Sequence, residues 1–272
     1  MAANSTLVLN SLAGFVHQYH AVLDVGFLVF VRILGFTLTG PLFGRKDLPF
    51  TFRLNFAIAL TLFLLPHIPG GIAQGGHIDS TGQIGHYILQ IIINIGIGLL
   101  VGFVGQLILE GVTAAGALAN NQIGLSAAMT FDPSTRQQVS LLDKFFGFLA
   151  LIVFFHVNGL YWILGAFYKT FTLIPLYHTR PNFPELVSGQ TIIQMSANTL
   201  DAALLMIGPI FVVTIAVDMI LGIVNRTAQQ IQVFQLSYAL KPAVGLGIFW
   251  MTLPNFLELV RDYLEHSFQV FT

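Results

Sequence analysis

Cysteine is absent from this sequence and charge is scarce, with 11 basic and 12 acidic residues making up only 8% of 272 positions. The first absence excludes disulfides, thiolate nucleophiles and Cys-ligated zinc or iron-sulfur centres. The second excludes an ordinary water-soluble surface, because soluble domains carry about a quarter charged residues and use them to cover their outside. A net charge of −1 offers no electrostatic footprint for nucleic acid. What is present is apolar: 55% of residues are hydrophobic and the mean hydropathy is +0.80. These values define an integral membrane protein.

The apolar residues gather in six blocks, at 27–43, 54–68, 84–109, 145–168, 202–224 and 242–257. Several are long enough for a spanning helix of about 20 residues. The expected fold is therefore an all-α integral membrane protein with about six hydrophobic segments. No soluble-sized insertion, linker or short repeat separates them, so 1–272 reads as a single membrane domain. The start of the chain has no basic n-region and no convincing cleavage pattern, which argues against a removable signal peptide. Pro66, Pro209, Pro242 and Pro254 lie within these stretches. Proline withholds a backbone donor, so broken helices are expected, with protein or a cavity satisfying the freed groups. Arg45, Lys46 and Arg53 crowd the first connection, whereas 65–86 contains no Lys or Arg. The positive-inside rule then puts the first connection on the cytoplasmic side.

Ionisable residues inside such segments need partners. Asp24 and Arg32 fall on nearly one helical face but about 12 Å apart along it, too far for a direct pair. For Arg32, Asp201 and Asp218 two readings stand: a proton or ion pathway, or structural and inter-subunit contacts. No paired set of ionisable residues lies on one run, which favours contacts. His17 and His20, and the group His67, His77 and His86, lack the spacing of a ligand motif, so no metal or other cofactor is expected.

The most unusual stretch is 116–133, which is small, amide-rich and uncharged until Asp132. Gly116, Gly124 and Ser126 permit close backbone approach, and Asn120, Asn121 and Gln122 can satisfy one another or a broken backbone. Ile123, Leu125, Met129 and Phe131 can present apolar surface, and Asp132-Pro133 closes the segment. Such a loop, taken over 110–138, suits a narrow passage between helices; an ordinary cytoplasmic connection is the alternative. Gly124-Leu125-Ser126 also matches the Gly-x-Ser core of intramembrane serine proteases, with His156 as a conceivable base. Three residues fix neither hydrogen-bond reach nor an oxyanion site, and the chain is expected not to be an enzyme.

The ordered motifs along the chain carry a resemblance. Arg32-Ile33-Leu34, Gly40-Pro41-Leu42-Phe43, Leu48-Pro49 and Arg53 come first, followed by Gly98, Gly102, Phe103 and Gln106. Gly116, Gln122 through Ser126 and Asp132-Pro133 come next. Asn158-Gly159, Trp162 and 171–175 lead to Leu221-Gly222, Asn225-Arg226, Gln230, Phe234 and Leu240-Lys241. In this order and spacing the sequence resembles the FliR family of flagellar export-gate proteins and its SpaR- and HrcT-like type III secretion counterparts.

That resemblance implies a subunit of a closed, helical pore complex in the bacterial inner membrane at the flagellar basal body. Its partners would be FliP-like and FliQ-like small membrane subunits, a FlhB-like switch protein and an FlhA-like export component. Unfolded flagellar proteins would pass through. The segment matching 116–133 would plug the lumen, and Arg32, Pro41, Pro49, Asp218, Asn225, Arg226 and Lys241 would serve structure or partner contacts. Ala127 stands where the family commonly has a bulky aromatic and Ala117 where it has an acidic residue, leaving Met129 or Phe131 to supply bulk. A virulence-type export subunit and a secondary transporter of a small solute are the alternative functions.

Overall fold

A computed structural model describes residues 22–44, 48–68, 81–125, 141–177, 189–227 and 232–269. Among them every regular element is helical. The helices are α1 (Val22–Thr39), α2 (Phe50–Leu64), α3 (Thr81–Ile123), α4 (Leu141–His156), α5 (Gly159–Leu173), α6 (Gly189–Thr227) and α7 (Val233–Gln269), with a 3-10 turn at Leu65–His67 after α2. By length and composition five helices can cross a membrane, or six when α4 and α5 count as one broken span. This bears out the expected all-helical membrane class and the number of hydrophobic segments.

Of the four prolines only Pro66 marks the end of an α-helix, α2 stopping at Leu64 just before it. Pro209 lies inside α6, and Pro242 and Pro254 lie inside α7. Each deprives one carbonyl of its donor, but the helix resumes because an apolar environment heavily penalises leaving further backbone groups unpaired. Pro66 sits in the first turn of the 3-10 segment, where a missing N–H costs little. The break without proline is at Val157-Asn158. Asn158 has φ 55°, a left-handed conformation that asparagine tolerates better than most residues. Gly159 follows because a β-carbon there would collide with the Phe154 ring.

The chain forms two compact units. The first draws its described residues from α1, α2, the part of α3 up to Gln106, and α5 from Leu164 onward. Here α1 and α3 cross with backbones in contact. A β-carbon on Gly35 would lie 2.5 Å from the Ile95 carbonyl oxygen, and one on Gly98 would run into the Arg32 carbonyl. Thr39 Oγ1 donates to the Leu99 carbonyl at 2.8 Å across this crossing. Such small-residue contacts are how membrane helices gain packing energy without a hydrophobic driving force between them. Phe36 packs on Phe167 at 4.6 Å between ring centroids.

The second unit holds the rest of α3, α4, the start of α5, and the α6 and α7 hairpin. Its core is aromatic. Phe146 of α4 stacks on Phe249 of α7 at 5.1 Å and meets Phe256 at 4.6 Å, and Phe154 packs on Phe268 at 5.7 Å. Pairs of this kind stabilise beyond the area they bury, by about 0.5–1.5 kcal/mol each.

Candidate functional site

The sequence places the start of the plug loop at residue 110, yet α3 continues through Ile123. The run Ala114-Ala115-Gly116-Ala117-Leu118-Ala119 is rich in the best helix former and contains no proline. Val112, Ala115, Ala119 and Ile123 are fully buried, and their three- or four-residue spacing is one helical face. That face is pressed closely. A β-carbon on Gly116 would lie 2.7 Å from the Leu142 carbonyl oxygen and 2.9 Å from Phe146 Cβ, both on α4. Tertiary packing therefore overrides the loop-like amide content of the sequence.

Asn120 is buried on this face, while Asn121 is exposed and Gln122 half-buried. The helix stops at Gly124, whose φ of +82° is the left-handed terminator that glycine adopts at no steric cost. Its N–H donates to the Asn121 carbonyl at 3.2 Å. Ile123, just before it, is wedged against α7: a β-carbon on Gly245 would come within 2.6 Å of Ile123 Cγ1. Leu125 closes the described segment, and Ser126, Met129, Phe131, Asp132 and Pro133 lie outside the described residues. The part of the motif that can be located is thus a helix end held at a fixed root, with the chain leaving through a glycine.

Arg32 lies in the first unit and is fully buried. Its Nε donates to Asn94 Oδ1 at 2.9 Å, Nη1 to the Thr170 carbonyl at 3.0 Å, and Nη2 to the Ile174 carbonyl at 2.9 Å. The guanidinium lies 4.6 Å over the Phe171 ring. No carboxylate takes part in these contacts. The compensation comes from the C-terminal end of α5, where the last carbonyls carry partial negative charge; the Thr170 carbonyl accepts from the Ile174 N–H at 2.9 Å as well. Asn94 holds the fork from the other side, its Nδ2 donating to the carbonyls of Gln90 at 2.7 Å and Leu176 at 3.1 Å. Sequence reasoning requires a partner for Arg32 but does not find Asn94 or the α5 terminus, because the partners lie 62 to 142 positions away and two of the three are backbone atoms.

The remaining singled-out residues are separate from these. Pro41 is buried in the turn after α1, where Gly40 and Gly44 donate to the carbonyls of Phe36 and Gly40, each at 2.7 Å. Pro49 is the N-cap of α2, its carbonyl accepting from the Phe52 N–H at 3.1 Å. In the second unit Asp218 of α6 pairs with Lys241 of α7, Oδ1 to Nζ 2.6 Å. Asn225 and Arg226 are exposed at the end of α6, where a cation is favourable to the helix dipole. His156, at the end of α4, is exposed.

Buried polar groups that hold helices together, close helix crossings, and multiple apolar spans define a multi-pass membrane protein. Comparison with known proteins places it further. Residues 23–267 match the family of bacterial export proteins, family 1, and the chain belongs to that family. It is 30% identical over 235 residues to the flagellar biosynthetic protein FliR of Bacillus subtilis (strain 168), covering 86% of this chain and 88% of that protein. FliR of Escherichia coli (strain K12) is 25% identical over 254 residues, covering 92% and 91%. The surface presentation of antigens protein SpaR of Shigella flexneri is 24% identical over 245 residues, covering 89% and 93%.

Proposed function

We propose that this protein is an inner-membrane component of the flagellar protein export gate, a non-catalytic subunit of the channel that unfolded flagellar proteins cross. The observation that carries the reading is the end-to-end similarity to two FliR proteins. Physical support comes from the long hairpin helices. The apolar windows of α6 and α7 are 36 and 34 residues long, so each runs about 50 Å at 1.5 Å per residue against a hydrocarbon core of about 30 Å. Helices that overshoot a bilayer this far need steep tilt or a protein covering for the excess, as in an assembly with other export components. FliP-like and FliQ-like subunits, a FlhB-like protein and an FlhA-like protein are the partners proposed.

The segment following Ile123 is proposed as the closing element of the passage. Its root is fixed by the packing of Ile123 on Gly245, and Gly124 lets the chain turn out of α3 without strain. Apolar constrictions exclude water and ions, and methionine can repack around varied cargo. The virulence branch is the second reading, favoured by the similarity to SpaR; the higher identity to FliR of Bacillus subtilis favours the flagellar one.

The test is a clean deletion, scored for motility and for flagellar proteins in the medium. Motility and external flagellar proteins are expected to disappear while their synthesis continues. Normal filaments would reject the flagellar assignment, and a block confined to effector secretion would move it to the sister branch.

A further inference from the structure

A groove of about 450 Å³ opens in the second unit between α6, α7 and α3, and it combines two surfaces that do not belong together in one solvent. Its floor is apolar, formed by the buried Ile108 and Met206, with Leu205 and Leu259 beside them, 67% and 41% exposed. Its rim carries Asp201 from α6 and Asp262 and His266 from α7. The contact between Thr199 Oγ1 and Tyr263 OH, 3.3 Å, fixes the register of the hairpin. Because Asp201 lies two positions beyond Thr199 and Asp262 one before Tyr263, both carboxylates stand at one level. Neither has a salt-bridge partner among the described residues. Arg261, the cation next to Asp262 in sequence, has its Nε on Glu265 Oε1 at 2.8 Å, and Lys241 is committed to Asp218.

We propose that this groove is a docking site for an apolar helix of a neighbouring export component that bears a lysine or arginine opposite Asp201 and Asp262. The inference rests on the proposed membership of an export assembly and names a contact within it. In lipid the floor is content but the two carboxylates lack a direct ion-pair contact, Asp262 sharing only the field of Arg261, whose bond is to Glu265. In water the carboxylates are content but the apolar flanks Leu205 and Leu259 are exposed. A helix with an apolar face and one basic residue satisfies both, covering the floor and pairing the rim. A phospholipid covers the floor but sets its phosphate against two carboxylates.

The test introduces a photo-crosslinking benzophenone residue at Leu205, an exposed position that disturbs no packing, in the full complex in native membranes. The expected product joins this chain to another subunit, through a peptide with Lys or Arg within a turn of the linked residue. Asp201→Asn with Asp262→Asn should reduce that product about tenfold or more, as loss of paired charges at an interface does, whereas Asp201→Glu should retain it. Phospholipid adducts only, or an undiminished product in the double Asn variant, would overturn the docking proposal while leaving the assembly intact. A wild-type chain that co-migrates with no other component would overturn the assembly itself, and the docking with it.

Discussion

Ile123 occupies the space that the missing side chain of Gly245 leaves on α7, with 2.6 Å between its Cγ1 and where a β-carbon would stand. This contact joins the end of α3, from which the proposed closing segment departs, to the hairpin of α6 and α7. Gly245→Val should drive Ile123 out of its seat, an overpacking cost of about 1–3 kcal/mol. The purified complex should melt at lower temperature, and Ile123→Ala in the same chain should recover part of the loss. Gly247→Val is the control, since a β-carbon on Gly247 meets nothing within 4 Å. Equal melting of the two valine variants would show that the seat carries no energy.

Arg32 should be irreplaceable by lysine. A guanidinium reaches Asn94 and two carbonyls at once in a planar fork, whereas an ammonium on a shorter polar head cannot span them. Both Arg32→Lys and Arg32→Met leave buried acceptors without donors, and breaking such a buried charged network costs about 3–5 kcal/mol. The expected result is low complex yield in both, with Asn94→Ala lowering it less because the two carbonyl contacts survive. A fully assembled Arg32→Met complex that fails to export would instead assign Arg32 a direct role in transport.

The α1 and α3 crossing makes its own prediction through two glycines of α3 that lie two positions apart in sequence but face different surroundings. A β-carbon on Gly98 would strike the Arg32 backbone, whereas one on Gly96 meets nothing within 4 Å. Gly96→Ala should therefore be neutral or slightly stabilising, because alanine is the better helix former by about 1 kcal/mol. Gly98→Ala should separate the helices and reduce assembled protein. Yields in the same membrane preparation, measured by quantitative blotting, decide between them.

How much of this was legible in the sequence follows from the range of each interaction. The spans were legible, since hydrophobicity acts over a local window, but the break at Val157-Asn158 was not, because 145–168 reads as one apolar block. The continuity of α3 past residue 110 was signalled locally only by the alanine-rich run 114–119; its extension through Asn120 to Gln122 depends on Gly116 and Ile123 meeting α4 and α7. The prolines misled for the same reason: whether a helix resumes after Pro209 or Pro254 is decided by its surroundings. Arg32 announced that a partner must exist, but backbone carbonyls at the end of α5 leave no signature in residue identity. Gly245 gave no signal either, since its role is an absence of atoms beside a residue 122 positions earlier.

The closing segment itself yields the last prediction. If apolar bulk and close backbone approach seal the passage, removing residues 125–129 should leave much of the complex assembled, because α3 retains its contacts with α4 through Gly116 and with α7 through Ile123. The membrane should nevertheless leak ions or small solutes, since the constriction that excludes water is gone. Ser126→Ala should be nearly silent, because sealing needs no nucleophile and alanine preserves the small volume. The measurement is ion flux and export in the same cells, with complex yield as control. A tight membrane after the deletion would reject the seal. Export lost in Ser126→Ala at normal assembly would instead require chemistry at that hydroxyl, and would reopen the pairing with His156 that the Gly-x-Ser triplet suggests.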